Sequence, residues 1–417
     1  MSSKTIITTL LVIVLIAIAV IFSNTNMDKN FGTTPIPFSQ NIFNQDTSSK
    51  TIEETIITTT EDTLDAQNPY IRQPFSVYTN QSPVFTYSPQ TNPQVPQTPT
   101  QNTQCPSVQT RALWVWDSTI ITSMSNNYGK RSSLFSFASS RNINTLYIES
   151  YGIITGNSTT DKNDLAEFIR LAHDTCISVE LLAGESEWYL PSNHSSATYF
   201  AQKAVDFTRG LSIKPKAIHL DVEPYGYSSS SLWDANNGTN RGAILSEYIS
   251  MLTKVKSTLG NTLLLNVDVP FWYDSASGLQ GSGAGYFSKQ IMDTVDIMTI
   301  MDYRDTAFGV KSSGEIISSK NESSNGIYDL GYDEVAYANS IGKKVIIGVE
   351  TKCFSDSASA QITFCGTRTV GNQIIKKGVL FLAHELEKIR TAFSSLASFG
   401  GTAIHHYDSY QTLPQSY

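Results

Sequence analysis

From Arg111 to Tyr407 the chain alternates short apolar runs with longer amphipathic stretches. The runs are RALWVW (111–116), NTLYIES (144–150), ISVELLAG (177–184), KAIHLDV (216–222), TLLLNVDV (262–269), VDIMTIM (295–301), KKVIIGV (343–349) and GTAIHHY (401–407). All have strand length and carry β-branched or aromatic residues. Between them, DKNDLAEFIRLAHD (161–174) opens on acids and sets Leu165, Phe168, Ile169 and Ala172 at helical spacing. RGAILSEYISMLTKVKSTLG stops at Gly260, and VLFLAHELEKIRTAFSSLASFGG runs to Gly400 and Gly401. Eight strands alternating with helices predict an α/β fold, a (β/α)8 TIM barrel. An open doubly wound sheet is the alternative, but no GxGxxG follows the first strand.

In such a barrel the chemistry sits where the strands end. The fourth run continues as KAIHLDVEPYG. Alternation puts His219, Asp221 and Glu223 on one face and Ile218, Leu220 and Val222 on the other. Ionisable groups facing inward are costly to desolvate unless they are paired or used. The other strand ends are also polar or aromatic. They supply Trp116, Glu149, Trp188, Asp268, Trp272, Asp302, Tyr303, Arg304, Glu350, His405 and Tyr407. Carboxyl groups among aromatic rings suit a saccharide cleft, in which rings stack on sugar faces and acids bond hydroxyls.

Glycoside cleavage needs a protonated acid at the leaving oxygen and a second group that stabilises or attacks the sugar carbon. Glu223 is the candidate acid, and Asp221 beside it would raise its pKa. A purely structural alternative pairs Asp221 with His219 or Arg304 inside a polar core.

The D-x-E ending strand four and Met301-Asp302-Tyr303 on strand six resemble the family 18 chitinase-like glycoside hydrolases. RALWVW is similar to the start of glycosidase-like barrels of the bacterial envelope. The first resemblance implies that Glu223 is the acid, that Asp221 orients the substrate's N-acetyl group as internal nucleophile, and that Tyr303 assists that group. The chain departs from the family pattern at Lys216 and His219, where that family has Asp, and at Arg304. The family's strand-eight Trp has no counterpart in GTAIHHYDSY. Glu223-Pro224 also resembles the strand-four acid of the other large clan of retaining glycosidases. That resemblance implies Glu350, ending strand seven, as nucleophile.

Composition and the N-terminal third bear on location and partners. Net charge is −8 and no basic cluster occurs, so nucleic acid is not an expected partner. Residues 1–23 hold an uninterrupted apolar run from Leu10 to Phe22, read as a membrane anchor or a signal segment. Residues 24–107 are rich in Pro, Thr, Gln and Asn and carry ten of the 15 prolines, so they are expected to be a disordered linker. The barrel is then 108–417, outside the cell, anchored or secreted. Export suits four cysteines. They allow two disulfides in any of three connectivities, or four unpaired thiols; in one connectivity Cys353 with Cys365 would staple a loop, and Cys105 with Cys176 would tie the entry segment to the barrel.

The function expected is an exported glycoside hydrolase acting on an extracellular or envelope polysaccharide as a monomer without cofactor. A non-catalytic glycan-binding barrel is the alternative. A metal-dependent hydrolase is a third class. Strand one reads Trp114-Val-Trp116 where such barrels often present H-x-H, and adjacent His405 and His406 point to opposite faces, so no metal is expected.

Overall fold

The computed structural model describes residues 105, 109–122, 127–226, 233, 240–274, 280–281, 285–355, 358–370 and 373–416. The expected anchor, and the expected linker apart from Cys105, lie outside them. Among the described residues no helix is long and apolar enough to cross a membrane.

Eight parallel strands close a barrel. They are β1 (Thr110–Val115), β2 (Thr145–Glu149), β3 (Ser178–Ala183), β4 (Ala217–Leu220), β5 (Leu264–Pro270), β6 (Ile297–Met301), β7 (Lys344–Glu350) and β8 (Phe399–His405). Closure is made by β1 and β8, with Thr110 opposite Gly401 and Leu113 opposite Ile404. The outer layer holds α1 (Tyr128–Ser140), α2 (Thr159–Asp174), α3 (His194–Arg209), α4 (Arg241–Leu259), α5 (Phe287–Thr294), α6 (Ile327–Ile341) and α7 (Val379–Ala392). Short helical turns at Tyr151–Thr155 and Tyr407–Thr412 follow β2 and β8.

Strand parity divides the core in two. Leu113, Val115, Leu146, Ile148, Val179, Leu181, Ile218, Leu220, Val267 and Ile300 face outward into the large cluster shared with the helices. Ala112, Trp114, Tyr147, Leu182, Ile297, Ile346 and Ala403 form a separate cluster in the lumen. The Trp114 indole fits because β7 offers no side chain opposite it. A Cβ on Gly348 would lie 2.9 Å from Trp114 Cη2. Large and small residues thus interdigitate across the lumen, as barrel filling requires.

Two boundaries differ from the sequence expectation. The last helix ends at Ala392, because the turn closed by Leu396 N–H on the Phe393 carbonyl lets β8 begin at Phe399, so Gly400 and Gly401 belong to the strand. β4 stops at Leu220 rather than Val222. Asp221 N–H still donates to Ala183 O at 3.0 Å, and Pro224, which has no N–H, starts a tight turn soon after. Parity persists past the strand end, with Val222 buried and Asp221 and Glu223 half-buried.

Both expected disulfides are present. Cys105–Cys176 joins the segment before β1 to the end of α2, with Cα atoms 5.4 Å apart. Cys353–Cys365 staples the long segment after β7, with Cα atoms 5.0 Å apart. That segment continues into an antiparallel ribbon, Thr367–Val370 with Gln373–Lys376. Asp305 holds it down by pairing with Lys377 at 3.0 Å and with Arg368.

Gly184 couples this frame to the β4 end, since a Cβ there would fall 2.0 Å from the Asp221 carbonyl oxygen. Gly184→Ala is therefore expected to destabilise the chain by about 1–3 kcal/mol through overpacking and to displace Asp221. Gly210→Ala, with nothing within 4 Å of its Cβ, should change stability by less than about 0.5 kcal/mol. Urea unfolding of the two variants measures the contrast.

Candidate active site

The lumen holds a buried ion column. Inward positions of β3, β4 and β5 place Glu180, His219 and Asp268 in sequence, all at most 2% exposed. Lys216 Nζ, at the start of β4, lies 3.1 Å from Glu180 Oε1. His219 Nδ1 lies 3.2 Å from Glu180 Oε2, and Nε2 lies 2.9 Å from Asp268 Oδ2, an ion-pair contact rather than a straight hydrogen bond. Asn266 Nδ2 donates to Glu180 Oε2 at 2.8 Å, Thr299 Oγ1 donates to Asn266 Oδ1 at 3.0 Å, and Trp114 Nε1 donates to Asp268 Oδ2 at 3.1 Å. The Tyr147 ring covers the imidazole, with centroids 3.9 Å apart.

Burial opposes every charge in this column, but the pairing outweighs it. Burial alone would lower the His219 pKa, yet Asp268 and Glu180 raise it to about 9. Burial would likewise raise Glu180, but Lys216 and His219 hold it down at about 2. His219 is an imidazolium at neutral pH. Its two nitrogens are taken by Glu180 and Asp268, so it does not pair with Asp221 as the structural alternative from sequence supposed.

Above the column, acids stand close with no such compensation. Glu223 is pushed up to about 7 by burial, against a hydrogen bond donated by the Tyr225 hydroxyl to its Oε1, and Asp268 adds to the rise. Asp221 goes well above the carboxylate range, first through burial and then through Glu223, Asp268 and Glu149. Its Oδ1 is enclosed and has no hydrogen-bond partner among the described residues. Glu149, whose Oε1 accepts from Tyr151 N–H at 2.9 Å, is raised to about 7 by burial and Glu185.

On the opposite wall, Glu350 is fully enclosed. Its Oε1 accepts from Thr351 N–H and Lys352 N–H, each at 2.7 Å, and its Oε2 accepts from His405 Nδ1 at 2.9 Å. Burial would raise its pKa, but His405 and these bonds lower it. Trp116 Nε1 donates to His405 Nε2 at 3.2 Å. The Tyr303 ring lies 6.1 Å from the His405 ring and packs with Met301, Ile362 and Phe354 of the stapled segment. Its hydroxyl pKa rises well above the ordinary value through burial, then through Glu350, Asp268, Asp221 and Glu223.

The remaining sequence candidates lie elsewhere or serve as support. Asp302 sits behind the barrel wall, where a Cβ on Gly331 of α6 would be 3.2 Å from its Oδ2. Trp188 is 3% exposed and packs on Tyr151 and Phe200. Tyr407 packs on Phe137 of α1, 5.4 Å between ring centroids. Trp272 is buried beside Tyr225 at 5.0 Å, and Arg304 lies 4.7 Å over the Phe271 ring. Glu180, Trp114 and Tyr225 are the participants that sequence reasoning missed. A lone acid at an inward position of ISVELLAG was the available signal for Glu180. Among the described residues no group of three His, Cys, Asp or Glu is placed to hold a metal ion.

The column ties stability to pH. The Glu180 contribution is in place above about 4.5 and is lost as pH falls through about 2, because its folded pKa is depressed. The His219 contribution is in place below about 6.5 and is lost as pH rises through about 9, because its folded pKa is raised. Glu149 and Glu223, raised from 4.5 to about 7, also lose stability as pH rises through that range. Thermal unfolding should therefore show a maximum near the acid end of the window between pH 4.5 and 6.5. Stability should decline toward pH 9. Glu180→Gln should cost about 3–5 kcal/mol at neutral pH, since it leaves the buried His219 imidazolium with one carboxylate instead of two. A flat or rising profile on the alkaline side would refute the column.

No family model and no curated protein sequence matches the chain. Among solved structures, it is similar to a chitinase from Bacteroides thetaiotaomicron at 13% identity and TM-score 0.42, covering 74% of this chain and 94% of that one. It is similar to the spore cortex-lytic enzyme SleL of Bacillus megaterium at 14% identity and TM-score 0.40, covering 71% and 70%. A family 18 N-acetylglucosaminidase from Paenibacillus barengoltzii gives 11% identity and TM-score 0.39, covering 72% and 96%.

Proposed function

We propose that the barrel is a glycoside hydrolase with Glu223 as general acid. The observation that carries this is a half-buried carboxyl group at the end of β4 whose pKa is raised to about 7, beside a second carboxyl group, Asp221, that burial also raises. An acid poised near the working pH is what leaving-group protonation needs. Glu223 delivers its proton to the glycosidic oxygen as the bond from that oxygen to the anomeric carbon breaks. It then takes a proton from the water that completes hydrolysis.

Glu350 is poorly suited to attack the sugar, because both its oxygens are occupied and it has no exposure. That favours an N-acetyl sugar whose own carbonyl oxygen traps the anomeric carbon. Asp221, with Oδ1 unpartnered among the described residues, would bond that group, and Tyr303 lies within electrostatic reach of the same acids. The substrate proposed is an extracellular or envelope polysaccharide. The two disulfides suit a domain exported behind the N-terminal segment.

Turnover of tetra-N-acetylchitotetraose tests this. Glu223→Gln should lose about 10²–10⁴ in kcat while still binding the oligosaccharide. The alkaline limb of the wild-type profile should fall near pH 7. Asp221→Asn should lower kcat with little movement of that limb, because burial and Asp268, not Asp221, raise the Glu223 pKa. Full turnover by Glu223→Gln would remove the assignment. A wild type that binds N-acetylated glycans and cleaves none of them would be a binding module.

A further inference from the structure

We propose that Glu350 and His405 are a positioning pair that fixes the indole of Trp116 as the sugar-stacking wall of the cleft. The stacking role rests on the glycan-cleft reading; the positioning does not.

Trp116 follows β1 at inward parity, packs on the lumen cluster above Trp114, and is half-exposed. Of the five tryptophans, Trp114, Trp188, Trp233 and Trp272 are each at most 6% exposed, so Trp116 alone offers a substantial open ring face. An indole N–H only donates. His405 Nε2 must therefore present its lone pair to Trp116, which places the ring proton on Nδ1. Glu350 enforces that tautomer. Its Oε1 is pinned by two backbone N–H groups, and its Oε2 can only accept from His405. The order of donation runs from Trp116 to His405 to Glu350, and reversing any link puts two donors face to face.

Two consequences follow. Losing the Nε2 acceptor, as in His405→Phe, releases Trp116. The groups around that imidazole are Glu350 ending β7, Tyr303 just past β6, His406 next in the chain, Trp114 on β1 and Trp116 just past it, and Glu223 within Coulombic reach at the β4 end. Glu350→Gln has a related effect. The amide oxygen takes the two backbone N–H groups, and its NH2 then faces His405 Nδ1. The imidazole must carry its proton on Nε2, against the indole N–H.

The experiment is tryptophan fluorescence of the full chain, with Trp116→Phe subtracted to isolate the Trp116 signal. His405→Phe, which offers the indole no acceptor, should shift that signal to the red and open it to acrylamide. His405→Gln, whose amide oxygen accepts from the indole, should keep the enclosed signal. Glu350→Gln should give the released signal at neutral pH. With tetra-N-acetylchitotetraose it should raise KM about 3–10-fold with kcat little changed, and it should add nothing in a Trp116→Phe background. A Trp116 signal indifferent to His405→Phe and to Glu350→Gln would overturn the positioning, and His405→Phe decides this even if Glu350→Gln fails to fold. If the signal behaves as stated but no glycan is bound or cleaved, the pair stands and the glycan-cleft reading falls. If glycan is cleaved while KM ignores Trp116→Phe, the stacking wall is wrong and the hydrolase is not.

Discussion

An imidazolium held between two carboxylates in the barrel lumen is the constraint from which the rest of the site follows. His219 is fully buried, and neither burial nor the surrounding rings would tolerate its charge alone. Glu180 and Asp268 make the charge tenable, and Lys216, Asn266, Thr299 and Trp114 complete their hydrogen bonds and ion pairs. The column crosses β1, β3, β4, β5 and β6, so it fixes the relative height of those strands as well as their charge. Breaking a buried pair of this kind is expensive, which makes the arrangement hard to vary one residue at a time.

The upper end of the column sets the chemistry of the mouth. Asp268 shares its charge with His219 through Oδ2, while its other oxygen has no partner among the described residues and its field reaches Asp221 and Glu223. Charges below are compensated and acids above are not, so the carboxyl groups at the β4 end hold their protons to higher pH. The far wall follows the opposite logic. Glu350 accepts three hydrogen bonds and its pKa is lowered, which suits a group that orients His405. Two acids that look alike in the sequence, each at a strand end, are separated in role by what their oxygens touch.

The barrel was legible because strand parity is a strong signal. All eight apolar runs became strands within a few residues, and the cluster facing the helices is made of the expected outward residues. Disulfide pairing was legible from the even cysteine count and from the short spacing of Cys353 and Cys365. Asp221 and Glu223 were visible as alternating acids before Pro224. What spacing could not supply was depth and direction. Asp302 directly follows β6 and reads in the sequence like Asp268 of β5, but its carboxylate turns behind the wall toward α6. Trp188 and Tyr407 looked like cleft rings and are packing residues, since a strand-end aromatic fills whichever side has room. Glu180 was passed over because a single acid inside an apolar strand gives no hint of a partner one strand away, and the His219–Glu180 pair exists only once β3 and β4 are in register.

The most direct measurement of the central interaction is the protonation state of His219. Nitrogen-15 NMR of the six histidine rings, assigned with single His→Gln variants, reads it without any substrate. One ring, lost in His219→Gln, should carry protons on both nitrogens through neutral pH and give one up only toward pH 9. A His219 ring that is neutral at pH 7, or that titrates at or below its ordinary 6.5, would contradict the buried ion column and the charge pattern built on it.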